Sequence, residues 1–338
     1  MWGEISEILY PLALFFPCFL ALGILGLAFV PFSGTPQRSL VYVDLDGNQE
    51  PVVGELRGYE YPRVSPDGQR LATTISESGE SNLWIVDLST GVQTRLAGEG
   101  QKAFPQWSPD GQTVVFSVPT DEPPASWSIF EQRVGATGAP EPLVMAREPR
   151  EKLWPSSWTS DGKYLVIGRW GASRDIVYMD TDGGGELVRF VASAADERYP
   201  LVSPVGPWLA YASNETGRWA IYVQSFPEGG ERHQISAQDT DELFGWAPDG
   251  RTIYYVADGT MMEVPITTSP NFQAGAPREL FKLRYGRGIW FNRDALMSPD
   301  GEHFVIATPD EGWGVATEIK VALNWFEELK ERVPTGGR

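Results

Sequence analysis

Aspartates in a recurring turn are the first side chains of this chain that could do chemistry. A set of carboxylates brought together could bind a metal or transfer a proton. In a turn, however, an aspartate can instead accept hydrogen bonds from nearby backbone N–H groups. The Asp-x-Asp-x-Asp spacing of a calcium loop does not occur around them. We therefore interpret these aspartates as structural, and we expect no metal and no cofactor. They are Asp67, Asp110, Asp161, Asp249 and Asp300.

Nucleophilic hydrolysis is the next chemistry to test. A serine hydrolase of the α/β type needs a Gly-x-Ser-x-Gly elbow and an α/β domain, and the sequence contains neither pattern. The glycine run after Asp182 predicts a hairpin turn rather than a phosphate loop, because no helical pattern follows it. Two histidines and one cysteine, Cys18, leave little material for histidine catalysis, a disulfide or a cysteine zinc site. We therefore expect a protein that is not an enzyme.

The best candidates for binding lie in the segment 285–294, which is rich in aromatic and guanidinium groups. Such groups are favoured at interface hot spots. We predict that this loop lies at one rim of a channel and contacts a partner. The alternative is that its rings pack into the gap between neighbouring sheets. The candidate residues are Arg287, Trp290, Phe291 and Arg293, with an acidic counterpart in the segment 239–242.

Two further candidates, Arg63 and Gln106, stand at equivalent positions of a repeat. Their neighbours along the chain form an apolar column that should pack between adjacent sheets. The column comprises Val64, Trp107, Trp158, Val202, Trp246 and Met297. The residues directly before the column, which include Arg63 and Gln106, vary in type, as expected of positions that are free to contact a channel or a ligand. We therefore add Arg63 and Gln106 to the candidate binding residues.

The repeat itself is an apolar run, a Pro-Asp-Gly turn and a second apolar run. The turn proline or its equivalent falls at residues 66, 109, 160, 204, 248 and 299, with spacings of 43, 51, 44, 44 and 51. Proline presets φ at the first central position, and aspartate and glycine tolerate the bent positions after it. The apolar residues alternate, as in strands, and do not follow the 3.6-residue period of a helix. Four short strands in each period are the unit of a β-propeller blade.

The sequence therefore predicts an all-β fold, a six-bladed β-propeller of four-stranded antiparallel blades over residues 39–330. The segments 39–47 and 50–53 look like third and fourth strands that lack a first and a second. We expect them to complete the last blade, which would remove the exposed sheet edges. The strand count is then one too many because of the segment 319–323, so one of these segments should lie outside the sheet.

Composition narrows the class of partner. The chain has 338 residues, and 27 basic against 45 acidic residues give a formal charge of −18. So acidic a surface repels phosphate backbones, and we expect no nucleic-acid partner.

The amino-terminal part contains a long uncharged run. Residues 8–32 carry no charged side chain, and about 20 apolar residues suffice to span a bilayer as a helix. We predict a single transmembrane helix over 8–32, with a flank over 1–7, a linker over 33–38 and a tail over 331–338. The competing interpretation, a cleaved signal peptide, lacks a basic start and a small-residue cleavage site.

Longer strings resemble a known family. The turn repeats resemble those of the WD-repeat-like propellers found in TolB and its bacterial relatives. The segments 40–47, 204–217, 221–230 and 325–330 resemble the carboxy-terminal propeller of bacterial membrane-bound serine/threonine kinases. The motifs of a kinase domain are absent from this sequence, so the resemblance implies no phosphoryl transfer.

The resemblance implies a propeller outside the cytoplasm, held at the inner membrane by its helix. We expect a non-catalytic sensor or interaction module that offers one propeller face to a protein or peptide, with a kinase as a possible partner in trans. The alternatives are a propeller hydrolase or lyase that uses the channel mouth, and a TolB-like component of envelope transport.

Overall fold

The computed structural model describes residues 21–23, 26–29, 37–77, 79–120, 126–171, 173–191, 193–236, 240, 242–269, 271–283, 295–309 and 320–323. All the regular secondary structure in these ranges is β-strand, which confirms the predicted all-β class. The chain divides into two compact units. One comprises residues 37–310, and the other comprises residues 1–36 together with 311–338.

The strands are numbered in chain order. The first ten are β1 Ala21–Gly23, β2 Gly26–Phe29, β3 Arg38–Asp44, β4 Gln49–Pro51, β5 Tyr59–Val64, β6 Arg70–Glu77, β7 Glu80–Asp87, β8 Gln93–Arg95, β9 Ala103–Trp107 and β10 Thr113–Pro119. The next ten are β11 Trp127–Arg133, β12 Glu141–Val144, β13 Lys152–Trp158, β14 Tyr164–Trp170, β15 Arg174–Asp180, β16 Leu187–Val191, β17 Glu197–Val202, β18 Trp208–Ser213, β19 Ala220–Ser225 and β20 Arg232–Gln234. The last eight are β21 Glu242–Trp246, β22 Thr252–Ala257, β23 Thr260–Thr267, β24 Gln273–Ala274, β25 Arg278–Lys282, β26 Ala295–Met297, β27 His303–Pro309 and β28 Lys320–Leu323.

Within residues 37–310, consecutive strands pair as antiparallel sets. The orders are β5-β6-β7-β8, β17-β18-β19-β20, and β21-β22-β23 with both β24 and β25 paired to β23. The strands β9–β12 and β13–β16 form two more such sets. A single parallel pair, Trp127 with Lys152, joins these two sets into one eight-stranded sheet.

The second strand of each set is deeply buried over most of its length. Strands β18 and β22 have five buried residues in succession after a half-buried first residue. A strand covered on both faces must be apolar throughout rather than alternating. This explains continuous apolar runs such as Tyr164-Leu-Val-Ile.

The first strands of the sets lie next to one another in a closed series. β5 contacts β9, β9 contacts β13, β13 contacts β17, β17 contacts β21, β21 contacts β26, and β26 contacts β5. A series of sheets whose first strands close on themselves is a β-propeller. The predicted propeller is therefore confirmed.

The last sheet is built from both ends of this unit, in the order β26-β27-β3-β4. β3 pairs with β27 from Asp44 and His303 at one end to Arg38 and Pro309 at the other. The predicted completion of the last sheet by the early strands is confirmed. The extra strand, β28, pairs with β2 in a separate three-stranded sheet of the other unit, as the strand count required.

The predicted transmembrane helix over 8–32 is wrong for the part of that range that the structure describes. Ala21–Gly23 and Gly26–Phe29 form an antiparallel hairpin. Glycines on both sides of the turn disfavour a helix, and an apolar run alone does not distinguish a buried strand from a helix. Among the described residues, no helix has the length and apolar character to cross a membrane. The rest of 8–32, and the tail 331–338, lie outside the described residues.

Candidate functional site

The antiparallel order of the sets gives the propeller two different faces. First and third strands begin at one face, which we call the upper face. First strands end at the other in the recurring Asp-Gly turns, and we call it the turn face.

On the turn face, the recurring aspartates are used within their own turns. In the first of these turns Ser65 Oγ donates to Asp67 Oδ1 at 2.5 Å, and the Gln69 N–H donates to the same oxygen at 3.0 Å. The turns at Asp110, Asp161, Asp249 and Asp300 make the equivalent backbone bond. Hydrogen bonds from Ser65 and from the backbone lower the pKa of Asp67, since they favour the ionised form. The structural interpretation of these aspartates is confirmed.

The turn glycines also carry a packing role. Gly301 has φ of +73°, and a Cβ on it would lie 3.1 Å from Pro248 of the preceding turn. A Cβ on Gly250 would lie at the same distance from Val205, the residue that replaces aspartate in the fourth turn. Neighbouring turns therefore stack directly on one another around this face.

The upper halves of the first strands carry a track of aromatic rings. The ring centroids of Tyr61 and Phe104 are 4.4 Å apart, and those of Phe104 and Trp154 are 5.9 Å apart. Tyr61 and Phe104 have positive φ values of 54° and 57° at a shift in strand register, as does Tyr199. A bulky residue rarely adopts this backbone conformation, and strained backbone is often found at functional sites. We call Tyr61, Phe104, Trp154 and Trp170 the aromatic track.

Trp154 is fixed by a glycine opposite it. Trp154 pairs with Gly168 across β13 and β14, and a Cβ on Gly168 would lie 1.9 Å from the indole Nε1. The ring therefore occupies the place of a side chain at residue 168. Its outer neighbour, Trp170, makes an edge-to-face contact at 6.3 Å and is 38% exposed. The track thus leads from the first strands to an exposed ring.

The exposed end of the track is flanked by cations. The Arg174 guanidinium lies 4.1 Å from the centre of the Trp170 ring, and Lys152 Nζ lies 5.1 Å from it. Arg174 also approaches Asp196 Oδ2 at 3.6 Å, and Arg198 Nη2 donates to the same oxygen at 3.1 Å. Arg198 in turn lies 4.1 Å from the centre of the Trp219 ring. Two arginines that share one carboxylate are therefore each placed against a tryptophan.

A second shared carboxylate lies beneath them. Asp175 is 2% exposed and accepts a hydrogen bond from Arg169 at 2.5 Å, and Arg189 lies 3.7 Å from the same oxygen. We call Arg169, Arg174, Arg189 and Arg198 the arginine cluster. Nearby, Glu197 is also 2% exposed, with Ser193 Oγ donating to its Oε1 at 2.7 Å. Burial and the charge of Asp175 raise the pKa of Glu197.

The predicted site residues have mixed placements. Arg287, Trp290, Phe291 and Arg293 lie outside the described residues. Arg63 and Gln106 lie on the adjacent first strands β5 and β9, and both are half-buried. The Arg63 carbonyl accepts the Trp107 indole N–H at 2.8 Å, and Arg63 Nη1 donates to the Pro62 carbonyl at 2.8 Å.

At the position in β13 that is equivalent to Arg63 and Gln106, a side chain forms hydrogen bonds to the neighbouring first strand. The Ser157 hydroxyl accepts the Val202 N–H at 3.0 Å and donates to the Pro200 carbonyl at 3.3 Å. At Ser157, therefore, the alternate side chain joins neighbouring strands.

The predicted apolar column is found between the sets. Trp107 and Trp246 each donate an indole N–H to a carbonyl of the preceding first strand, at 2.8 and 3.0 Å. The equivalent Trp158 Nε1 is buried and has no hydrogen-bond partner among the described residues. The column thus contributes polar bonds between sets as well as apolar packing, and Trp158 lacks the bond.

The aromatic track was missed at the sequence level, although a signal was present. An aromatic residue followed by proline recurs at Tyr61, Phe104, Trp154 and Tyr199, just before the column. The arginine cluster has no comparable signal, because its members lie on four strands, β14 to β17, and each occurs once.

The two histidines lie in different sheets. His233 stacks on Phe272 at 4.6 Å, and His303 Nδ1 lies 3.3 Å from Asp300 in the last turn. Among the described residues, no group of three His, Cys, Asp or Glu side chains is placed to hold a metal ion. A cavity of about 630 Å³ on the turn face is lined by Asp110, Asp161 and Glu131 together with Trp158. Because Asp110 and Asp161 are already bonded within their turns, the upper face is the better candidate site.

Comparison with known proteins identifies the propeller. The Tol-Pal system protein TolB of Francisella tularensis is 25% identical over 194 residues, which cover 55% of this chain and 43% of that protein. The uncharacterized peptidase YuxL of Bacillus subtilis is 26% identical over 196 residues, which cover 46% of this chain and 29% of that protein. This chain therefore spans less than half the length of these relatives.

A solved structure of a candidate TolB from Agrobacterium tumefaciens has the same fold. It superposes with a TM-score of 0.63 and 20% sequence identity, over 82% of this chain and 99% of that chain. A family model described as the TolB beta propeller domain matches residues 25–222, more than half of this sequence. This protein belongs to the TolB beta propeller domain family.

Proposed function

We propose that this protein is a non-catalytic binding module that presents the upper face of a six-bladed propeller to a protein or peptide partner. Each of the antiparallel sets corresponds to one blade in this proposal. The closed series of first strands from β5 to β26 supports the blade count.

The observation that carries the proposal is the aromatic track with its flanking cations. Exposed tryptophan and arginine side chains are over-represented among residues that dominate binding energy. Trp170 remains 38% exposed even though Trp154, Lys152 and Arg174 pack around it. An aromatic surface held in place by its neighbours loses little conformational entropy when a partner binds.

The family supports a role in the cell envelope about as well as a sensing role. TolB of the Tol-Pal system is among the relatives, so a TolB-like envelope component is the alternative. In both cases we propose that the propeller lies outside the cytoplasm, as the resemblance implies. The narrower likeness to kinase propellers, and with it a kinase partner in trans, rests on the sequence strings alone.

Site-specific photocrosslinking in living cells tests the binding face. A photoreactive amino acid replaces Trp170 on the upper face or Val205 on the turn face, which is 54% exposed. We expect a discrete crosslinked product from residue 170 and none from residue 205. Equal products from both positions, or none from residue 170, would overturn the proposal.

Protease accessibility tests the location. We expect protease to digest the propeller in cells whose outer layers are opened while the inner membrane stays intact. Protection until the inner membrane is broken would place the propeller in the cytoplasm and contradict this part of the proposal.

A further inference from the structure

We propose that the arginine cluster binds the carboxylate of an acidic residue in an extended peptide segment of the partner. This inference rests on the proposed function, because the cluster lies at the exposed end of the aromatic track. It adds the chemistry that the partner must supply.

The first argument is the local balance of charge. Four guanidinium groups share two carboxylates, those of Asp175 and Asp196. Each guanidinium offers five N–H donors in a planar fork, whereas a carboxylate has about four acceptor sites. The donors of the cluster therefore exceed the acceptors that hold them. Arg198 Nε, for example, has no hydrogen-bond partner among the described residues.

The third acid of the region offsets only part of this excess. Glu197 is 98% buried beside Asp175, and its Oε2 has no hydrogen-bond partner in the described part of the chain. Even when Glu197 is ionised, the four guanidinium groups outnumber the carboxylates of Asp175, Asp196 and Glu197. A local excess of positive charge thus lies on a chain whose formal charge is −18. Such a patch attracts an anion, and a carboxylate matches the guanidinium fork.

The second argument is geometric. Successive rings of the outer aromatic track are 5.9 and 6.3 Å apart, from Phe104 to Trp154 and from Trp154 to Trp170. Side chains on one face of an extended peptide recur every second residue, at about 6.6 Å. Apolar side chains at alternate positions would therefore follow the rings. A carboxylate two residues further on would reach the arginine cluster beside Trp170.

The third argument is accessibility. The Arg189 side chain is 60% exposed, and those of Arg169, Arg174 and Arg198 are 20–25% exposed. The arginine planes of residues 174 and 198 are held against Trp170 and Trp219. Guanidinium groups fixed in this way lose less entropy when they bind a carboxylate.

Two labelled pentapeptides and the full chain provide the test, with fluorescence anisotropy as the measurement. Both peptides have phenylalanine at the first and third positions and threonine at the second and fourth. The fifth residue is glutamate in one and glutamine in the other. We expect the glutamate peptide to bind at least about tenfold more tightly. This preference should shrink as NaCl rises from about 50 to about 300 mM.

Matched variants locate the effect. Arg189→Gln and Arg174→Gln should each reduce the preference for glutamate severalfold, and Arg189→Lys should retain part of it. The control is Arg70→Gln on the turn face, where Arg70 lies 4.9 Å from the Trp107 ring and 3.5 Å from Asp67. It removes the same charge and the same kind of contacts, and the preference should not change. Because Arg189 is largely exposed, its variants should fold normally, and circular dichroism checks this.

The other outcomes separate the two proposals. Equal binding of both peptides, with crosslinking at residue 170 retained, would overturn this inference and leave the proposed function intact. Arginine-dependent binding of trigalacturonate or inorganic phosphate, with neither peptide bound, would overturn it in favour of a glycan or a phosphate ligand. Absence of both peptide binding and crosslinking at residue 170 would overturn both proposals.

Discussion

The turn face and the upper face are ends of the same strands, yet they are built in opposite ways. On the turn face one solution recurs: in five turns a backbone N–H donates to the turn aspartate, and in the first two a serine hydroxyl donates to it as well. On the upper face an aromatic residue followed by proline recurs in four first strands, but the contacts differ from set to set: Trp154 lies over Gly168, and Asp196 joins Arg174 to Arg198. The repeated end holds the propeller together, and the varied end is available for recognition.

The largest effect that would test this contrast is expected at Gly168. Gly168→Ala places a methyl group where the Trp154 ring lies, and overpacking of this kind costs about 1–3 kcal/mol of unfolding free energy. Urea unfolding measures it. Gly171→Ala is the matched control, because no atom lies within 4 Å of a Cβ there, and it should change stability by less than about 0.5 kcal/mol. Equal effects at the two glycines would show that Trp154 is not held by its partner strand.

The next effect concerns the tryptophan column near the turn face. Trp246→Phe removes the hydrogen bond to the Leu201 carbonyl, whereas Trp158→Phe removes an indole N–H that has no partner among the described residues. We expect Trp246→Phe to lower the unfolding free energy by about 1 kcal/mol more than Trp158→Phe. Denaturant unfolding of both variants measures the difference. A larger cost at Trp158 would mean that the column is uniform after all.

Acid sensitivity should distinguish the faces as well. At the turn-face end of β7, hydrogen bonds from Ser89 and Thr90 lower the pKa of Asp87 to about 2. Because the pKa of Asp87 is lower in the folded state than in the unfolded one, its ionised carboxylate stabilises the fold at pH values above the unfolded-state pKa. This contribution is lost as the pH falls toward 2. Asp87→Asn should therefore make the loss of stability between about pH 4 and pH 2 less steep. Thermal unfolding across this range measures the slope, and an unchanged slope would contradict the prediction.

The smallest effect has the opposite sign and lies on the upper face. The raised pKa of Glu197 means that the folded state favours its protonated form. Near pH 7 the ionised Glu197 therefore lowers the stability of the fold. This destabilisation is relieved as the pH falls through the folded-state pKa of Glu197 toward its unfolded-state pKa. Glu197→Gln should raise the melting temperature at pH 7, and it should remove the gain in stability that protonation of Glu197 gives at lower pH.

A second variant gives the control for Glu197. Ser193→Ala removes the hydroxyl that donates to the carboxylate but keeps the acid itself. We expect it to lower stability at pH 7, because the ionised form then loses a hydrogen bond. If both variants shift the melting temperature in the same direction, the carboxylate is not the group responsible.

The same contrast explains what the sequence could predict. The turns repeat with fixed residue types, so Pro66, Asp67 and Gly68 and their equivalents define the period and the strand order, and the segments 39–47 and 50–53 predicted the closing sheet. Such local chemistry depends on neighbours in the chain. The arginine cluster depends on side chains from four strands that do not share a repeated motif, and Asp196 meets Arg174 only after two sets have packed together. The helix predicted over 8–32 failed where Gly23 and Gly26 flank a hairpin, because hydrophobicity alone carries no period.

The sheet that joins both ends of the propeller unit also determines how that unit would respond to tension. Arg38 and Pro309 are paired at the same end of β3 and β27, so the chain enters and leaves at one place. A force that pulls these two points apart would break the hydrogen bonds of that ladder one after another, as a zipper opens, instead of loading them all at once. The remaining sheets would carry no load until this one had parted. The sheet β26-β27-β3-β4 is therefore the mechanically weakest part of the ring.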